Sequence, residues 1–442
     1  MFKTLVNAFK VKEIRNKILI TLLFVLIYRL GCYIPVPGLG SGLLSDETLQ
    51  NISYLNIMSM MSGGALSQGT WFAMGIGPYI NASIIIQLLT VAIPALERMS
   101  KEGEAGQKKI SNLTRIGALV LAVLQAIGIL TAYSPYTETS SAADVPALLT
   151  ILWNQKWLVY VILVIFYASG TLVTVWLGER ITENGVTNGI SILIFVGILT
   201  SVGIQSLSML QTIFTGAEAW ARTLWQFIGF IAVIVVVFGL IVFVELSERK
   251  IPVQYAKQVK GRKLYGGQST VIPIKVNASG VMPLIFAFSL LSFPELIGSM
   301  IKGGNNNFVL WWQKWMGTDS WLYTIVLCLL ILGFAFFYAQ IQFNPDDISK
   351  TIQQNGGFIP GIRPGRSTAD YLRRVQHRIT LFGAIFLAFI ALVPAILFKT
   401  VLQTSSSAFS ATGLIICVSV ALEFNTALES QIMMKNYKGF LK

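Results

Sequence analysis

The sequence predicts an all-α polytopic membrane protein of ten transmembrane helices in two five-helix halves. Three observations lead there. Mean hydropathy is +0.67, and only 12% of residues are charged, about half the share found in soluble domains. Ten stretches are apolar over about 20 residues, the length that crosses a hydrocarbon core. Lysines and arginines, which resist translocation, gather in alternate connections between those stretches.

An N-terminal arm with Lys3, Lys10, Lys12, Arg15 and Lys17 leads into the first span, 17–36. No small-residue cleavage site follows that span, so it is expected to stay as an anchor. Residues 30–97 hold no positive charge, which puts the first connection on the opposite face. Within it, residues 56–70 are apolar, rich in Gly, Ser and Met, and too short to cross. Two readings fit: a loop lying on the interface, or a small movable element in a central cavity, hinged at Gly75 and Gly77 before Pro78. The second span, 78–96, carries Gln87 and is followed by Arg98, Lys101, Lys108, Lys109 and Arg115. Spans at 113–133, 157–178 and 188–207 complete the first half, residues 1–207, with Arg180 on the basic side.

The second half, residues 208–442, begins after a break near 208–217. Its first span, 220–245, enters a basic segment at 246–275 that holds Arg249, Lys250, Lys257, Lys260, Arg262, Lys263 and Lys275. The next, 276–297, carries Asn277 and Pro283. A proline inside a helix removes a backbone bond, so a kink is expected there. The outer segment 302–321 holds Trp311, Trp312, Trp315 and Trp321, and indoles favour the interface. Span 321–341 then leads into 342–378, with Lys350, Arg363, Arg366, Arg373, Arg374 and Arg378. Spans 379–399 and 410–428 close the chain. Ten crossings return both termini to the basic, cytoplasmic side. Five spans per half make the second half enter from the opposite face, an inverted arrangement.

Several function classes fall away. His377 is the one histidine, and Cys32, Cys328 and Cys417 are scattered through the spans. These cannot build a zinc site, so no metal, cofactor or enzymatic centre is expected. Glu179, Glu183, Glu245 and Glu423 sit at or toward span ends on the basic side, and Arg29 lies in the outer third of the first span. The lack of a central acid argues against a secondary transporter with inverted repeats. No ring of like charges or carbonyl filter marks an ion channel. Gln87 and Asn277 are costly facing lipid: each either bonds a neighbouring helix permanently, or the two face each other across a weak contact that can open. Ile80/Ile84 and Ile190/Ile194 are i, i+4 pairs, each on one helix face turned to lipid, core or a pore.

Six stretches in chain order resemble the SecY family, the pore subunits of the protein-conducting Sec channel: 75–87, 101–110, 178–191, 249–257, 274–283 and 355–365. The last includes Gly-Ile-Arg-Pro-Gly at 361–365. The resemblance implies two inverted five-helix halves around a central hourglass pore. Its apolar ring falls on Ile80, Ile84, Ile190, Ile194, Ile285 and Ile416. Its plug falls on about 57–70, with Met58, Met60, Met61, Gly63 and Gly64. A lateral gate is expected at Gln87, Asn277 and Phe293, where an apolar signal sequence inserts with lipid on one side. The two long basic segments are expected to receive a SecA-type ATPase or a ribosome, through Arg249, Lys250, Lys257, Arg262, Lys263, Arg363 and Arg366. The resemblance further implies a SecE-like clamp, a SecG-like subunit, and signal sequences and secretory polypeptides as clients. It places the chain in the lipid of a bacterial cell membrane. A net charge of +13 also suits anionic lipid and ribosomal phosphate.

Overall fold

The computed structural model describes residues 2–36, 53–132, 156–214, 220–255, 258–260, 263–265, 269–277, 280, 282–300, 307–317, 320–400 and 411–439. In chain order the helices are α1 (Phe2–Lys10), α2 (Lys12–Gly31), α3 (Ser53–Ser62), α4 (Gly77–Ala92), α5 (Pro94–Lys101), α6 (Glu104–Ala132), α7 (Lys156–Asn184) and α8 (Gly189–Phe214). They continue with α9 (Trp220–Glu245), α10 (Met282–Met300), α11 (Asn307–Met316), α12 (Trp321–Gln342), α13 (Pro345–Gln354), α14 (Arg366–Thr400) and α15 (Ala411–Gly439). Five strands accompany them: β1 (Glu248–Tyr255), β2 (Gln258–Lys260), β3 (Lys263–Tyr265), β4 (Ser269–Lys275) and β5 (Gly357–Phe358).

Every predicted span overlaps a helix, but the count of ten crossings is coarser in the structure. Among the described residues, six helical stretches are long and apolar enough to cross by themselves: Glu104–Leu130, Tyr160–Asn184, Gly189–Phe214, Leu224–Glu245, Trp321–Gln354 and Arg366–Val393. A seventh is broken, because α4 and α5 meet at a bend of 102°. Pro94 opens α5, and the residue before a proline is pushed out of the helical region. Ile93 is accordingly extended there, at φ −107 and ψ 114. Of the other helices on predicted spans, α2 carries Lys12, Glu13, Arg15, Lys17 and Arg29, and the apolar part of α10 is Met282–Leu291.

Three expectations need correction. The chain is not all-α: β4, β1 and β5 form a three-stranded sheet. Its register runs antiparallel from Glu248↔Lys275 to Gln254↔Ser269, and β5 adds Gln254↔Phe358 and Tyr255↔Gly357. Asn277 lies in the turn after β4 rather than in a span, because α10 begins at Met282. Pro283 is therefore the second residue of α10, where no backbone bond is lost, and the proline inside that helix is Pro294.

The side chains pack into two separate cores and one shared core. The first joins α3, the turn that follows it, α6 and α7, through Met58, Leu66, Met74, Ala126, Ile129 and Tyr167. The second joins α9, α10, α12, α14 and α15, through Phe230, Leu284, Ile331, Leu387 and Val418. The third draws on both halves of the sequence. At one end α1 lies on α15, with the Thr4 hydroxyl donating to Glu429 Oε1 at 3.2 Å and Ala8, Ile14 and Leu428 buried together. The first and last described helices thus meet.

Candidate functional site

The shared core holds all six isoleucines that the resemblance singled out. Ile80 and Ile84 come from α4, Ile190 and Ile194 from α8, Ile285 from α10 and Ile416 from α15. Spacing explains the first four, since residues i and i+4 on a helix share a face. Ile80, Ile84, Ile194 and Ile416 are buried, while Ile190 and Ile285 are half-buried. Aliphatic side chains offer water and ions no hydrogen bond, so a narrow collar of them can dewet and block conduction.

Against this cluster rests α3. Met58 and Met60 are buried, and Met61 packs on the collar cluster. The Ser201 hydroxyl of α8 donates to the Met60 carbonyl at 3.0 Å. Gly197, one turn earlier, lets the backbones touch, because a Cβ there would overlap the Met61 carbonyl. α3 ends on two consecutive left-handed glycines, Gly63 (φ 70) and Gly64 (φ 83), a conformation nearly free of cost only for glycine. Beyond them the chain is stitched to the first half. Val36 N–H donates to the Gly69 carbonyl at 3.1 Å and Trp71 N–H to the Ile34 carbonyl at 2.9 Å. The Trp71 indole also donates to Ser169 Oγ at 3.0 Å. The expected hinge at Gly75 and Gly77 lies on this stitched side, Gly75 being buried.

Of the two arrangements expected for Gln87 and Asn277, the structure shows each bonded to a neighbouring helix. Gln87 and Asn277 do not bond each other. The Tyr338 hydroxyl of α12 donates to Gln87 Oε1 of α4 at 3.0 Å, tying the two halves together. Asn277 Nδ2 donates to Glu245 Oε2 at 3.0 Å. Tyr338 also packs on Phe286 of α10, ring centroids 4.8 Å apart. Phe293 lies in α10 and is described by its backbone alone. Gln87, Asn277, Tyr338 and Glu245 all line a cavity of about 1180 Å³, with Lys101 and Lys275 on its wall. Tyr79, Tyr338 and Val420 belong both to the cavity lining and to the shared core, so the two adjoin at these residues.

The basic segments form one body rather than two loops. Ile251 and Val253 point inward from β1 and pack with Ile274, Ile352, Ile359 and Leu372. Arg249 and Lys250 of the same strand are exposed, the latter 3.2 Å from Glu248. Arg363 and Arg366 are exposed, and the Arg363 carbonyl accepts from the Thr368 hydroxyl at 2.9 Å, which fixes the turn that presents it. Lys257 and Arg262 lie outside the described residues, and Lys263 is described by its backbone in β3.

Sequence reasoning missed Tyr338, Gly197 and Ser201. Each left a faint signal: a hydroxyl ending the aromatic run Phe336, Phe337, Tyr338, and a glycine four residues before a serine in an apolar helix.

Comparison with known proteins gives a consistent result. The family model described as SecY matches residues 70–425. The protein translocase subunit SecY of Streptomyces galbus is 42% identical over 448 residues, covering 100% of both chains. The SecY subunit of Mycobacterium bovis is 39% identical over 461 residues, again 100% of each. A solved structure of a protein conducting channel superposes at a TM-score of 0.65 with 18% identity, over 94% of this chain and 92% of the other. Canine Sec61, in a ribosome-channel complex from the endoplasmic reticulum, superposes at 0.61 with 17% identity and the same coverage. At these identities the structural likeness is one of fold.

Proposed function

The chain belongs to the SecY family, and from that premise we propose that it is a protein-conducting channel that passes unfolded secretory polypeptides across a bacterial cell membrane. The observation that carries this reading is the presence of Ile80, Ile84, Ile190, Ile194, Ile285 and Ile416, from both halves, in one apolar core that shares Tyr79, Tyr338 and Val420 with the cavity lining. In this reading ten spans form two inverted halves, both termini lie in the cytoplasm, and the pore runs through the collar. A ring of flexible aliphatic side chains seals against ions and yields to a moving chain of almost any sequence. α3, with Met58, Met60, Met61, Gly63 and Gly64, is the plug. Gln87, Asn277 and Phe293 mark the lateral gate, through which apolar segments pass into lipid. A signal sequence favours the open state by burying apolar surface there that the closed state does not offer.

The chain supplies the passage and a partner supplies the energy. Arg249, Lys250, Lys257, Arg262, Lys263, Arg363 and Arg366 are the proposed contacts for a SecA-type ATPase or a ribosome. A SecE-like clamp and a SecG-like subunit complete the assembly. The test is depletion of this chain from growing cells: secretory precursors carrying uncleaved signal sequences should accumulate on the cytoplasmic side. Normal export of several such precursors after depletion overturns the proposal.

A further inference from the structure

The guanidinium of Arg29 has an unusual setting. A long cation near a span end ordinarily snorkels, resting its stem on apolar surface and its head in water. Here Nη1 is wholly buried and has no hydrogen-bond partner among the described residues. The head lies beside the Tyr33 ring, 5.8 Å from its centroid. Buried charge at membrane depth is costly unless something compensates it.

The compensation on offer is the C-terminal end of α3. A Cβ added to Gly63 would stand 2.5 Å from Arg29 Nη1 and 3.1 Å from the Gly197 carbonyl oxygen. The residue that closes α3 is thus gripped between a guanidinium of α2 and the backbone of α8. The last carbonyls of a helix carry its negative dipole end, where a cation is favoured. α3 has no basic residue in its own last turn, so the charge comes from α2. The turn itself is formed by Gly64 N–H donating to the Ser59 carbonyl at 2.8 Å and Gly63 N–H to the Met60 carbonyl at 3.1 Å.

We propose that Arg29 is a positioning residue that latches α3 in the closed channel, by holding the Gly63 turn through charge–dipole attraction. This rests on the reading of α3 as the plug. The latch is reversible by construction. When α3 leaves, the guanidinium loses the dipole and regains water, so opening does not strand a buried charge.

The test uses the full channel complex in planar bilayers, reading resting ion current alongside precursor transport in vesicles. Arg29→Met should raise the resting current roughly 2- to 30-fold, the range a lost cation–dipole contact allows, while transport persists. Arg29→Lys, which keeps the charge but not the planar fork, should fall between Met and wild type. A second protein, with Met60→Cys and Ser201→Cys in a background free of Cys32, Cys328 and Cys417, is joined by a short bismaleimide. The cross-link should block transport and abolish the Arg29→Met leak. A tight Arg29→Met channel, or a leak that survives cross-linking, overturns the latch while leaving the plug intact. Undiminished transport through the cross-linked protein overturns the plug reading, and the latch with it.

Discussion

Gln87 shows how much one side chain can carry. Its bond from Tyr338, at 3.0 Å, is a polar tie between α4 and α12 on the wall of the cavity. Such a bond contributes about 0.5–1.5 kcal/mol net. Tyr338→Phe should therefore shift the channel toward opening roughly 2- to 12-fold, measured as export of a precursor with a weakened signal sequence. Unchanged or poorer export would count against a gate at this contact. In the collar, Ile194→Asp puts a charge where four buried isoleucines exclude water, and resting ion current should rise in planar bilayers. The isoleucine pairs were legible in the sequence as helix faces, though what those faces met was not. Asn277 was misread because hydropathy cannot separate the end of a strand from the start of an apolar helix. It donates to Glu245, 32 residues away.

Packing at the level of elements shows which close contacts hold α3 and the sheet in place. α3 meets α8 through Gly197, where any Cβ overlaps the Met61 carbonyl. Gly197→Val should displace α3, seen as faster labelling of a cysteine placed at Met58 by a water-soluble maleimide. Labelling at the wild-type rate would show that α3 does not depend on this contact. The sheet has a similar point. Gly357 is buried, and a Cβ there would lie 2.9 Å from Tyr255 Cε1 and 3.0 Å from Ile352 Cγ2. Gly357→Val should pull β5 from β1 and weaken motor or ribosome docking, read as binding to vesicles, while membrane insertion stays normal. The long helices were legible because one apolar run of about 20 residues is a strong signal. The strands were not, being short and set in basic segments. Their trace was the alternation of inward Ile251 and Val253 with outward Lys250, Pro252 and Gln254.

At the scale of the whole molecule, two of the five cores among the described residues are joined through a third. Each separate core takes its buried residues from one half of the sequence, with Val202 of α8 packed against the second, whereas the shared core combines α2, α4, α7 and α8 with α10, α12 and α15. Of the basic segments, the structure packs β1, β4 and β5 with Ile352 and Leu372 around one further small core. The central claim is that polypeptide passes through the isoleucine cluster. It is tested most directly by photocross-linking from Ile84 and Ile194 in membranes holding a stalled secretory chain, with the strongly exposed Phe243 (73%) as control. The account predicts adducts at both isoleucines, dependent on a functional signal sequence and absent at Phe243. A chain that crosses the membrane without labelling either isoleucine would contradict it.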